Sequence, residues 1–112
     1  MFMLGSDKIA VLTGSSDSAW CDRINKHIFI GLDGDWQDVL DRIHHEAFEL
    51  AFIILDLRYQ KSEDPEPAFS SMVFMMNHNE FQRACKMASG FLAEAIPFCL
   101  DRWKAYQKRK VL

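Results

Sequence analysis

The segment Arg42–Phe52, RIHHEAFELAF, holds two adjacent histidines and two glutamates three apart inside an apolar run. On a helix, positions i and i+4 stack on one face. His45 and Glu49 are therefore expected side by side, with Glu46 one residue round. Imidazole nitrogen and carboxylate oxygen both ligate Zn2+. A carboxylate next to metal-bound water can take its proton in metal-assisted hydrolysis. For that chemistry His45 and Glu49 are the candidate ligands and Glu46 the candidate general base. A third ligand has to come from another element. His78 is the candidate, because it falls between a predicted strand and a predicted helix, where catalytic side chains gather in mixed folds. His27 opens a strand and is expected to face solvent. His44 lies beside the apolar stripe and is expected to be partly buried and bonded to a backbone carbonyl.

The competing expectation is an ordinary polar helix face. His45 and Glu49 lie opposite the apolar stripe, in the company of Asp38, Asp41 and Arg42. Arg42–Glu46 and His45–Glu49 would be i, i+4 pairs, each contributing about a few tenths of a kcal/mol.

The elements that must position these residues read as ββαβα. Lys8–Thr13 (KIAVLT) and Lys26–Leu32 (KHIFIGL) are short, apolar and β-branched, and read as strands. Ser15–Asn25 between them reads as a long polar connection. Asp35 is placed to cap a helix. Trp36, Leu40, Ile43, Ala47, Leu50 and Ile54 then recur at spacings of three and four, which predicts a helix to about Arg58. Lys61–Ala68 is charged, carries two prolines and reads as a loop. Ser71–Met76 (SMVFMM) is apolar on both faces and predicts a central third strand. Asn79 and Gln82 have capping-box spacing at the start of a last helix, and Pro97 predicts a kink or a second helix start within it. The expected fold is α+β: one compact domain over residues 1–112, with a three-stranded sheet and two long helices. The second and third strands could be parallel across the first helix, or antiparallel.

Composition narrows the function classes. The chain has 112 residues and a net charge of −3, which disfavours general nucleic-acid affinity. Ten acids lie between Asp33 and Glu66, against Arg42, Arg58 and Lys61, while Arg102–Lys110 holds five basic residues and no acid. Asp38, Asp41, Glu63, Asp64 and Glu66 are candidates for steering a partner protein. Phe91 and Phe98, off the main stripe of the last helix, form a second apolar patch that suits a homodimer or packing against the first helix. Three scattered cysteines, without C-x-x-C, fit a reducing cytosol, with Cys85 and Cys99 expected as buried thiols. No signal peptide is recognised, and the longest apolar run, Leu50–Leu55, is too short to cross a membrane. Leu12-Thr13-Gly14-Ser15-Ser16 follows a strand as phosphate-binding loops do, but lacks the second glycine and the lysine of a P-loop. Cys21 near His27 has no base geometry, so no thiol enzyme is expected.

His45-Glu46-Ala47-Phe48-Glu49 resembles the H-E-x-x-H signature of zinc peptidases, with Glu49 in place of the second histidine. Residues 27–97 also resemble small phage- or prophage-encoded proteins with an H-E-A-x-[HE] helix, carried by HIFIGLDGDWQDVLDRIHHEAFELAF and FMMNHNEFQRACKMASGFLAEAIP. That resemblance implies a zincin-like helix without an assured catalytic activity. Two functions follow as expectations. The first is a non-enzymatic interaction protein of phage or mobile-element type, binding a host protein or itself and needing no cofactor. The alternative is a small metal-dependent hydrolase that holds Zn2+ on His45, Glu49 and His78.

Overall fold

A computed structural model describes residues 1–60 and 72–111. In chain order the elements are β1 (Phe2–Leu4), β2 (Asp7–Gly14), β3 (Ala19–Asp22), β4 (His27–Gly31), α1 (Trp36–Ile54), β5 (Arg58–Gln60), β6 (Met72–Phe74) and α2 (His78–Val111). The fold is α+β with two long helices, as expected, but the described residues form six strands in two sheets rather than three in one.

The main sheet has the order β1-β2-β4-β3. β1 pairs antiparallel with β2, β2 parallel with β4, and β3 antiparallel with β4. The register is set by alternation. Ile9, Ile28 and Ile30 point inward and are buried, so Cys21, opposite Ile28, and Ala19, opposite Ile30, point inward too. Lys8, Leu12, Phe29 and Trp20 point outward. The polar connection expected over 15–25 therefore contains a strand. Its alternation, AWCD, spans only four residues and fails to stand out among polar neighbours.

The parallel pair forms without a helix between its strands, because the Ser15–Ser18 turn carries the chain over the end of β4. There Gly31 donates to the carbonyl of Ser18, Leu32 to that of Gly14, and Asp33 to that of Ser16. A Cβ at Gly31 would collide with the Ser16 and Ser18 carbonyl oxygens. Only glycine permits that crossing.

α1 starts where expected. Asp35 accepts from the Asp38 amide at 2.9 Å, and Asp38 accepts from the Asp35 amide at 3.1 Å, a reciprocal cap. It ends four residues early, at Ile54 rather than Arg58. Leu57 donates to Phe52 and Asp56 to Ile53, with Asp56 at φ 61°, which together make a Schellman stop. Arg58 thus begins β5, which pairs with β6 in a separate hairpin. The predicted central third strand is part of that hairpin, and Phe74 and Met75 are exposed. Its apolar character marked local packing, since Phe52 and Phe74 lie 4.9 Å apart. This strand does not pair into the main sheet as expected.

α2 is one helix of 34 residues that runs through Pro97, with no second helix starting there. Its cap lies two residues before the expected one. Asn77 and Glu80 form the reciprocal cap, at 2.9 and 3.0 Å, in place of Asn79 and Gln82. A carboxylate at this position also suits the positive helix end better than an amide does.

Both helices cover the inner face of the main sheet. The core joins Leu4, Ile9, Ile28 and Ile30 to Val39, Ile43, Ala47 and Leu50 of α1 and to Ala88, Phe91, Ala95 and Cys99 of α2. Alanines on both helices allow the axes to approach closely. Phe91 and Phe98 do not form a free patch. Phe2 packs on both rings, at 6.2 and 5.4 Å, so β1 of the same chain covers them. No helix among the described residues is long and apolar enough to cross a membrane.

Candidate functional site

α1 buries Val39, Ile43, Glu46, Ala47, Leu50 and Ala51. Its inward face is turned slightly from the predicted Trp36–Ile54 stripe, and this turn brings Glu46 inside. Trp36 and Leu40 are only half-buried. β3, the edge strand that sequence reading missed, lies against this side of α1 and supplies the facing wall.

Between β3, α1 and the β5–β6 hairpin is an open cleft of about 1000 Å3. At its floor a Cys21 Sγ, a Glu46 carboxylate oxygen and a Glu49 carboxylate oxygen all lie within 4.8 Å of one another. His45 Nε2 is 3.2 Å from Glu49 Oε2 and 3.9 Å from Glu46 Oε1. The predicted His45–Glu49 juxtaposition is therefore present. Arg58 closes the cluster, with Nη1 3.4 Å from Glu49 Oε1. The predicted Arg42–Glu46 pair does not form. Arg42 instead donates to the carbonyls of Gly31 and Asp33, at 2.9 and 2.6 Å, and ties α1 to the end of β4.

Burial grades the cluster from floor to rim. The Glu46 side chain is 7% exposed, that of Glu49 19% and that of His45 68%. Burial pushes the Cys21 thiol up to about 12, and the charges of Glu46 and Glu49 add to that. Burial also raises the Glu46 carboxyl, followed by the charge of Glu49, while His45 and the Cys21 hydrogen bond pull it back down. Acidic donors held together in a partly buried cluster resist ionisation. A divalent cation among them would reverse that penalty. The same environment argues against Cys21 as a nucleophile, because a thiol at that value carries almost no thiolate at neutral pH.

Thiolate, imidazole and carboxylate together suit Zn2+, whereas Mg2+ and Ca2+ take oxygen ligands. Phe48, Phe52 and Phe74 form an apolar wall beside the donors. The cleft thus combines a few convergent polar groups with an aromatic lining, the usual make-up of small-ligand sites.

His78 is the first residue of α2, exposed, and does not line the cleft. His44 is partly buried, its Nδ1 2.9 Å from the Leu40 carbonyl, as expected. His27 lies on the outer sheet face between Ala10 and Asp22. Cys99 is buried and Cys85 only partly so. Asp41 is exposed at the rim of the cleft, and Asp38 is engaged in the α1 cap. Glu63, Asp64 and Glu66 lie outside the described residues. Sequence reading missed Cys21 and Arg58 as members of the cluster.

In comparisons with known proteins, no family model matches the chain, and neither does any curated protein or any solved structure.

Proposed function

We propose that the cleft binds a zinc ion and that the protein is a small metal-dependent hydrolase. The observation that carries this reading is the placement of Cys21, from β3, within 4.8 Å of both α1 carboxylates. Cys21 and Glu49 are ligands from that group, and His45, with Nε2 3.2 Å from Glu49 Oε2, is the third. Three protein ligands leave the fourth tetrahedral position for water, the pattern of catalytic rather than structural zinc. Glu46 is the general base that takes a proton from that water. The ligand set keeps the two α1 residues of the sequence expectation and takes its third member from β3 instead of His78. The apolar wall favours substrates that carry an aromatic or aliphatic group next to the bond that is cut.

The test is elemental analysis and zinc titration of protein purified without a histidine tag. One zinc per chain is expected. Cys21→Ser and His45→Ala should each weaken binding by at least about tenfold, the free-energy scale of one lost charge-assisted contact. His78→Ala should leave it unchanged. Glu46→Gln should keep the ion and lose hydrolysis. Folded protein that takes up no zinc at micromolar free metal would overturn the proposal.

A second reading, an interaction module that binds a partner protein or another copy of itself, is favoured by one observation. The outer sheet face carries Leu12, Phe29 and Trp20 in adjacent register, with Trp20 stacked on Phe29 at 4.1 Å and both Leu12 and Trp20 48% exposed. Under this reading Trp20→Ser abolishes partner binding or self-association, and charge reversal at Asp38 and Asp41 slows association at low salt. Sedimentation and binding rates unchanged in both variants would remove it.

A further inference from the structure

The turn after β2 carries a second feature, remote from the zinc cleft and independent of it. Thr13, Gly14 and Ser15 line a cavity of about 420 Å3 together with Tyr106, Arg109 and Lys110 from the last turns of α2. The cavity opens at the carboxyl ends of the parallel strands β2 and β4, the sheet edge at which ligands collect in mixed folds. The sequence of this turn lacks the lysine of a P-loop. The fold supplies two cations from more than ninety residues further along the chain.

The charges favour an anion. Among the described residues Arg109 forms no ion pair. Lys110 Nζ is 3.5 Å from Asp33 Oδ1 and 4.8 Å from the centre of the Tyr106 ring. Asp33 is the carboxylate in contact with this wall, and it is already engaged. It accepts the Tyr106 hydroxyl and pairs with Lys110. Arg42 donates to the carbonyl of the same residue and adds positive charge from behind. A chain of net charge −3 thus presents a locally positive concavity here. Ser15 Oγ lies 2.8 Å from Tyr106 Oη, whose proton is committed to Asp33. The Ser15 hydroxyl therefore donates to Tyr106 Oη and ties the turn to α2, while Thr13 lines the same wall.

We propose that this cavity is a subsite for a phosphate monoester. Arg109 and Lys110 meet the dianion, Thr13 hydrogen-bonds one of its oxygens, and the remaining volume takes a small organic group. Two cations and a hydroxyl around one concavity match a tetrahedral oxyanion with several acceptor oxygens better than they match chloride.

The experiment is a titration of the full-length chain followed by amide NMR, at fixed ionic strength, with inorganic phosphate, phenyl phosphate and sodium chloride as separate probes. Saturating shifts centred on Gly14 and Ser15 are expected with both phosphates. Phenyl phosphate should bind more tightly than phosphate, and chloride should give no such shifts. The double variant Arg109→Ala, Lys110→Ala should weaken phosphate binding by at least about tenfold, one charge-assisted contact's worth. Lys108→Ala should leave it unchanged, and Asp33→Asn should tighten it. Non-saturating shifts, equal shifts with chloride, or unchanged binding in a double variant whose spectrum is otherwise native would overturn the proposal. None of these readouts depends on zinc.

Discussion

At the scale of single residues, Glu46 and Cys21 show how one helix face can hold both core and chemistry. A buried carboxylate beside a second carboxylate and a thiol opposes folding unless something offsets its desolvation. Glu46→Gln keeps the shape and removes the charge, so the metal-free variant should be at least as stable as the wild type in urea. A loss of stability would mean that Glu46 serves the fold. Asp33 behaves in the opposite way. The hydrogen bond from Tyr106, followed by the charges of Lys110 and Arg42, holds its carboxyl below the ordinary 3.8. A depressed carboxylate contributes stability that is fully present above its unfolded value and disappears as pH falls through its folded value. Wild type should therefore exceed Asp33→Asn in stability at neutral pH, and the gap should close as the solution is acidified below about 4. Urea midpoints at a series of pH values check this. Gly31→Ala should destabilise by about 1–3 kcal/mol, because the new methyl group presses on two turn carbonyls that have nowhere to move.

At the scale of elements, the caps decide where the helices begin and end. Removing the side chain in Asn77→Ala should cost about 1 kcal/mol, while Asn79→Ala should cost much less, although both stand in capping-box spacing. Denaturant unfolding of the two variants separates them. Asp56 holds a left-handed conformation at the stop of α1. Asp56→Gly should therefore be neutral or stabilising by up to about 1 kcal/mol, unlike glycine inside a helix. The periodicity of α1 was legible from the sequence, and so was Asp35 as its N-terminal cap. Its end was harder to read, because Leu55 and Leu57 continue the apolar pattern while the backbone reverses at Asp56. β3 and β5 were illegible for a related reason, so β6 was legible as a strand but its partner was not. Strands of three or four residues offer one or two alternations, too few to compete with the flanking polar and apolar runs.

At the scale of the whole molecule, α2 binds the parts together. Its 34 residues span about 50 Å at 1.5 Å per residue, which matches the longest dimension of the chain, 50 Å. It contributes Phe91 to the core, and Tyr106 and Trp103 to the loop after β4, where Trp103 Nε1 donates to the Gly34 carbonyl at 3.2 Å. Phe91→Ala should cost about 3–5 kcal/mol and disturb β1 as well, since Phe2 rests on that ring. Zinc in the cleft would join β3 to α1 and bind only the folded chain. At about a hundredfold excess over the dissociation constant it should stabilise by about 2.7 kcal/mol. Thermal unfolding with and without a chelator measures the shift, which should vanish in Cys21→Ser.

The sequence by itself determined the local facts: an α+β chain, a helix starting at Asp35, and His45 stacked on Glu49. Each follows from spacing along a single element, where backbone geometry leaves little choice. The tertiary structure alone decided that the third member of the cluster is Cys21 and that Arg109 and Lys110 face the turn after β2. Those neighbours are far apart along the chain. Strand order and helix packing bring them together, and neither leaves a periodic mark on the residues concerned.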